Sequence, residues 1–155
     1  MIDEHPTVVS VNISGGGIPK RPISVGEVTT EGLVGDAHDH QKHNTPAQAI
    51  SLLDVEDIAD LAAEGFDVYP GATGENLTVR GLDADTLAVG DRLRLSGGVE
   101  LQITKIRKPC YVLDAISPEL KHAISGRCGC YAKVLSGGRV RAGATIHREH
   151  AIAQR

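Results

Sequence analysis

Eighteen glycines break this chain of 155 residues at short intervals, and the stretches between them are brief and rich in β-branched side chains. Such punctuation leaves room for many short strands and few long helices, so it dictates a mainly β fold. Thr7-Val8-Val9-Ser10-Val11-Asn12-Ile13 reads as a strand and stops at Ser14-Gly15-Gly16-Gly17, a loop no regular element tolerates. The pattern predicts further strands over 23–30, 48–53, 76–80, 92–95, 99–107, 131–135 and 145–147. The alternation from Val99 to Ile106 is the most regular, with one face toward a core and the other toward water. A helix is predicted from Asp54, where Val55, Ile58, Leu61 and Ala62 share a face, Asp54 suits the N-cap and Gly65 the C-terminal stop. A second, shorter helix is expected from about Ser117 to about Ile124, with Pro118 in its first position. Together these elements predict one domain over 1–155, mainly β and barrel-like with one or two short helices; its core spans about 8–147 and a frayed tail starts near Arg148.

The formal net charge of -4 offers no broad electrostatic footprint for nucleic acid, and an aromatic fraction of 3% leaves little to stack on exposed bases. The first residues, Met1-Ile2-Asp3-Glu4-His5, carry no basic segment followed by an apolar run, and no apolar stretch has bilayer-spanning length. The expectation is a cytoplasmic protein without nucleic-acid or membrane partners. Three cysteines, an odd count, do not read as a disulfide framework and direct attention to metal or redox use.

Three clusters could carry chemistry. Gly35-Asp36-Ala37-His38-Asp39-His40-Gln41-Lys42-His43 gathers three imidazoles and two carboxylates, so His38, His40 and His43 could hold zinc, or Asp36 could simply tie down loop amides. Pro70-Gly71-Ala72-Thr73-Gly74-Glu75-Asn76-Leu77 is a compact turn that delivers Glu75 and Asn76 to the mouth of a strand, either toward an anion or to close the turn itself. Cys110 follows Arg107-Lys108-Pro109, and neighbouring cations favour the thiolate, the form that attacks and binds metals. Cys128-Gly129-Cys130 has one residue between its thiols, too few for the usual zinc or redox pair.

Gly35-Asp36-Ala37-His38, the run from His43 to Gln48-Ala49-Ile50-Ser51-Leu52-Leu53, Pro70 to Leu77, Gly81-Leu82-Asp83, Val89-Gly90-Asp91-Arg92-Leu93, Pro109-Cys110 and Tyr131-Ala132-Lys133-Val134-Leu135 resemble, in order, the MOSC domain. That module closes molybdenum cofactor sulfurases and also occurs as free-standing small bacterial proteins. The resemblance runs from about Val8 to Ile146. It implies a barrel-like fold of the pyruvate-kinase type and binding of a molybdenum pyranopterin cofactor. It also implies a cysteine, matched by Cys110, that carries sulfur as a persulfide or ligates molybdenum in the reduction of N-hydroxylated compounds. The pyridoxal phosphate of the fused sulfurases belongs to a separate domain, so none is expected here. Partners would be cofactor or sulfur donor and acceptor proteins of molybdenum cofactor metabolism.

Under that resemblance the cofactor's phosphate would meet cations among Lys20, Arg21, Arg80, Arg107, Lys108, Lys133, Arg139 and Arg141. Gly74, Glu75 and Asn76 would read the pterin edge, and Asp36 and His38 would handle protons near the metal. Two departures stand out. Many free-standing relatives have an arginine where this chain has Ala47, and Cys128-Gly129-Cys130 is richer in sulfur than the usual glycine-aromatic pattern, either as a resolving thiol for Cys110 or as core. The alternatives from other classes are a zinc protein built on His38, His40 and His43, hydrolytic or structural, and a non-catalytic cofactor carrier.

Overall fold

The computed structural model describes residues 5–37 and 46–150. Its strands are β1 (Thr7–Ile13), β2 (Arg21–Ile23), β3 (Gly26–Thr29), β4 (Gly32–Leu33), β5 (Ile50–Asp54), β6 (Leu77–Arg80), β7 (Arg92–Leu95), β8 (Glu100–Ile106), β9 (Cys130–Ser136), β10 (Gly138–Val140) and β11 (Ile146–Glu149). Helices α1 (Val55–Ala63) and α2 (Leu120–Ala123) interrupt them, with 3-10 turns at Pro46–Gln48, Ala84–Thr86 and Tyr111–Ala115. Eight strands form one sheet in the order β11-β7-β8-β9-β5-β6-β1-β2, and β10-β3-β4 form a second. The pairing of β5 with β6 is parallel, as it must be when α1 carries the chain back across the sheet, while the neighbours of that pair are antiparallel.

The large sheet curls, and the expected mainly β, barrel-like architecture holds, although its ladder does not close. Between β1 and β11 there is an isolated bridge, Thr7 opposite Thr145. It is reinforced by hydrogen bonds from the Val8 amide to the Ala144 carbonyl (2.8 Å), from the Gly143 amide to Val8 (2.7 Å) and from the Ile146 amide to Pro6 (2.8 Å). Among the described residues no helix is long and apolar enough to cross a membrane.

Strand β5, Ile-Ser-Leu-Leu-Asp, is buried at all five positions, because both faces of this central strand are covered. Its alternation divides the protein's apolar interior in two. Ile50 and Leu52 enter the main core with Val8, Val79, Leu93 and Leu101. Leu53 enters a second cluster with Ile58 and Leu61 of α1, Leu113, Leu120 and Cys128. Each fully buried leucine contributes about 1.5–3 kcal/mol, so Leu113 in the second cluster fixes the segment that follows Cys110. Gly129 lets β9 enter beside β5: its φ is +84°, and a Cβ there would lie 1.8 Å from the Leu52 carbonyl oxygen.

Several boundaries differ from the sequence expectation, each for a local reason. The run expected over 23–30 is divided between β2 and β3, which pair with different partners, β1 and β10. Gln48 lies in a 3-10 turn, so β5 starts at Ile50. Asp54 precedes α1 but does not cap it; its carboxylate instead accepts the amides of Leu82 (3.0 Å), Asp83 (2.7 Å) and Ala84 (2.6 Å). The second helix is shorter than expected, since the Ser117 hydroxyl accepts the Glu119 amide (3.2 Å) and holds the chain in a turn ahead of Leu120. Fraying does not begin at Arg148. There β11 still pairs with β7, and Glu149 meets Arg94 at 2.8 Å.

In the first turn of α1, Asp57 is half-buried against Asp85, whose own carboxylate accepts the Gly129 amide at 2.9 Å. Burial, then the hydrogen bond and the charge of Asp85, push the Asp57 carboxyl up to about 7. A carboxyl whose pKa is raised by folding lends stability at low pH, and that stability is lost as pH rises through the folded value. The melting temperature is therefore expected to fall between about pH 4 and about pH 7, from the ordinary carboxyl value to the raised one. Asp57→Asn, which keeps a donor for Asp85, should flatten that fall and raise the pH 8 melting temperature by about 2–4 °C, given the solvent screening at this partly exposed position. Thermal melts with the same slope in both proteins would exclude this role for the pair.

Candidate functional site

The site is built around the turn that precedes β6. Gly71, at φ +90°, packs so closely that a Cβ would lie 2.2 Å from the Lys20 carbonyl oxygen, and the Lys20 amide donates to the Gly71 carbonyl at 2.8 Å. The turn and the loop after β1 are thereby locked together. Glu75, fully buried, folds back inside the turn, where its carboxylate accepts the Gly71 amide (2.8 Å) and the hydroxyls of Thr73 (2.7 Å) and Thr78 (2.7 Å). A buried anion with three donors is stabilised in place and is spent on structure.

Asn76, next in the chain, uses its whole side-chain amide. Oδ1 accepts the Ser51 amide (3.0 Å) and hydroxyl (3.3 Å), while Nδ2 donates to Asp36 Oδ2 (2.9 Å) and to the Asn12 carbonyl (3.3 Å). Asp36 in turn accepts the Ser14 amide at 3.0 Å and the Lys20 ammonium at 2.7 Å. The Asp36 side chain is 1% exposed and that of Lys20 11%, so this is a shielded ion pair that holds Lys20 in one position.

Lys20, Ser51, Gly74, Asn76, Arg107 and Cys110 border an open hollow. Arg107 leaves the end of β8 and is fixed by donating to the Thr73 carbonyl (2.5 Å) and hydroxyl (3.3 Å) and to the Tyr131 side chain. Cys110 follows in extended conformation, φ -129° and ψ 155°, immediately before the turn anchored by Leu113. Its thiol is partly exposed and also borders a second hollow flanked by Lys105 and Lys108. Gln48, Cys110 and Tyr131 line both hollows and so form the wall between them.

All three cysteines are free thiols, but only Cys110 is accessible. Cys128 and Cys130 are 2% and 0% exposed. Burial raises the Cys128 thiol and pushes the Cys130 thiol up to about 12, so both are core sulfur at neutral pH.

The structure therefore brings Lys20, Gly74, Asn76, Arg107 and Cys110 together, with Asp36 behind them and Glu75 turned inward. Lys108 borders the second hollow and not the first. Arg21, Arg80, Lys133, Arg139 and Arg141 are exposed and border neither. His38, His40 and His43 lie outside the described residues; among those described, no group of three His, Cys, Asp or Glu side chains could hold a metal ion. Sequence reasoning missed Ser51, Thr73, Lys105 and the wall position of Gln48 as parts of the site. A serine among the apolar residues of 50–53 was the one available signal, since a buried hydroxyl needs a partner.

The MOSC domain model matches residues 39–147. Among curated proteins, the chain is 31% identical over 123 residues to a protein named reductase from Gibberella moniliformis, an alignment covering 74% of this chain and 22% of that protein. It is 34% identical over 139 residues to the uncharacterized protein YflK from Bacillus subtilis, covering 84% and 62%. The chain thus spans less than two thirds of the length of these curated relatives. The crystal structure of YiiM from Geobacillus stearothermophilus superposes with a TM-score of 0.77 at 26% identity, covering 92% of this chain and 74% of that one. The YuaD protein from Bacillus subtilis superposes at 0.80 with 19% identity, a likeness of fold.

The contrast among the thiols has a direct readout. Native protein treated with iodoacetamide near pH 8 should gain a single adduct, on Cys110, and should label Cys128 and Cys130 only once unfolded. Peptide mass spectrometry finding Cys128 modified as fast as Cys110 would contradict the burial described.

Proposed function

Because this chain belongs to the MOSC domain family, we propose that the first hollow holds a molybdenum pyranopterin cofactor, that Cys110 is the thiolate ligand to its metal, and that the protein reduces N-hydroxylated compounds. The observation that carries this reading is the placement of Cys110: of three thiols, the accessible one shares its hollow with Lys20 and Arg107, while the other two are core. The residues present fit the group. Lys20 and Arg107 suit an anionic phosphate or a polar ring edge. Gln48 Oε1 is shielded from solvent and, among the described residues, has no hydrogen-bond donor, so it can accept an N–H from a ligand. A soft thiolate suits molybdenum.

When bound, such a cofactor relays two electrons from an external donor, so that an N–OH group and two protons become N–H and water. The chain's own work is to hold and shield. Asp36 and Asn76 keep Lys20 at the rim, where its ammonium is a proton-bearing group beside the hollow. Thr73 and Tyr131 hold the Arg107 guanidinium at the edge of the hollow. Asn76, with its amide fully committed, shapes the floor more than it reads a ligand.

The relative named reductase supports reduction over sulfur carriage, and the burial of Cys128 and Cys130 supports it too, since neither is placed to resolve a persulfide on Cys110. The partners of this reading are a cofactor-supplying protein and an electron donor, in the cytoplasm, where thiols stay reduced. Protein purified from a host that makes the cofactor should contain molybdenum and releasable pterin, and Cys110→Ser should lose the metal and the turnover of hydroxylamines or amidoximes with an artificial electron donor. Lys20→Gln should retain about tenfold less cofactor, the worth of one charge-assisted hydrogen bond. Stoichiometric zinc without molybdenum in the wild-type protein would instead favour a zinc protein.

A further inference from the structure

The two hollows that meet at Cys110 differ in how their cations are used. In the first, Lys20 is paired with Asp36 and Arg107 is bound to Thr73. In the second, Lys105 and Lys108 are exposed and, among the described residues, neither has an ion-pair partner. Lys105 lies opposite Tyr131 in the β8–β9 pairing, and Lys108 stands two residues before the thiol, so both charges flank the same opening. Exposed lysines alone are ordinary solvated surface. Here, though, they border a hollow of about 370 Å³ with an accessible thiol in its wall and Gln48 beside it. Gln48 Oε1 is an acceptor that nothing in the described structure satisfies, and leaving a shielded acceptor without a donor is costly. Gln48 lines both hollows, and a ligand donor that reaches its oxygen would relieve the cost.

We propose that the second hollow is the substrate side of Cys110, and that it binds a small anion, carboxylate or phosphate, which also carries an N–H or O–H donor for Gln48. Lys105 and Lys108 neutralise the anion, Gln48 orients the donor, and the thiol wall separates this compound from whatever fills the first hollow. Assignment of this side to substrate rests on the reading of the first hollow as the cofactor's; the anion site itself does not.

The test uses the full chain without cofactor and reads the alkylation of Cys110. The ratio of rates with iodoacetate, an anion, and iodoacetamide, its neutral counterpart, cancels any change in thiol ionisation. Lys105→Gln/Lys108→Gln should lower that ratio about tenfold at low salt, and raising the salt should erode it in the wild type. Glycolate, a carboxylate with an O–H donor, should protect Cys110 from iodoacetamide at about tenfold lower concentration than acetate, and Gln48→Leu should remove that advantage. A ratio unchanged by the lysine substitutions, or equal protection by glycolate and acetate in the wild type, overturns the anion site. In cofactor-loaded protein, Lys105→Gln/Lys108→Gln should keep its full molybdenum content while the KM for an anionic hydroxylamine rises; loss of molybdenum would give these lysines to the cofactor's phosphate and overturn the assignment to substrate. If the protein never retains molybdenum, the cofactor reading fails while the alkylation result still decides the anion site.

Discussion

A carboxylate sealed from water must be met by donors, and the one belonging to Glu75 sets the terms for everything around it. Its three partners come from the turn before it and the strand after it, so satisfying the charge and folding the turn are the same event. Once the turn is closed, Thr73 presents the oxygens that hold Arg107, and Asn76 is aimed at Ser51, Asn12 and Asp36. Asp36 then fixes Lys20. One buried charge thus organises two cations at the rim of a hollow that it never touches.

The second support is the division of β5 between two apolar clusters. The main core holds the curled sheet together, whereas the cluster beneath α1 holds the 3-10 turn that begins just after Cys110. The thiol therefore hangs between two rigid bodies of packing, in a chain segment whose backbone is set by Leu113 on one side and by the Arg107 amide bonded to the Gly129 carbonyl (2.9 Å) on the other. Loops positioned by a rigid scaffold commonly carry binding residues, and this one is pinned at both ends.

The regular parts of this architecture were legible because they depend on local pattern. The alternation of β8 and the apolar stripe of α1 emerge from a few adjacent residues, and the positive charge beside Cys110 is written in the chain next to it. What escaped depends on partners distant in sequence. Asp54 looks like an N-cap until the amides of 82–84, folded from another strand's end, claim its carboxylate. Glu75 looks like a ligand-facing acid until Thr78 and Gly71 enclose it. Gln48 reads as the start of a strand, and only the placement of two cavities on either side makes it a wall.

The outer edge of β1 is shared. Its second half is covered by β2, close in sequence, but its first half waits for 143–146, which lies near the other end of the described chain. During synthesis on the ribosome that stretch of strand edge stays uncovered until residues 143–146 have emerged, a template for wrong pairing in the meantime. The rim is thus completed by a segment far along the chain from β1, and that late-arriving strand acts as the clasp that ends this edge's exposure to aggregation.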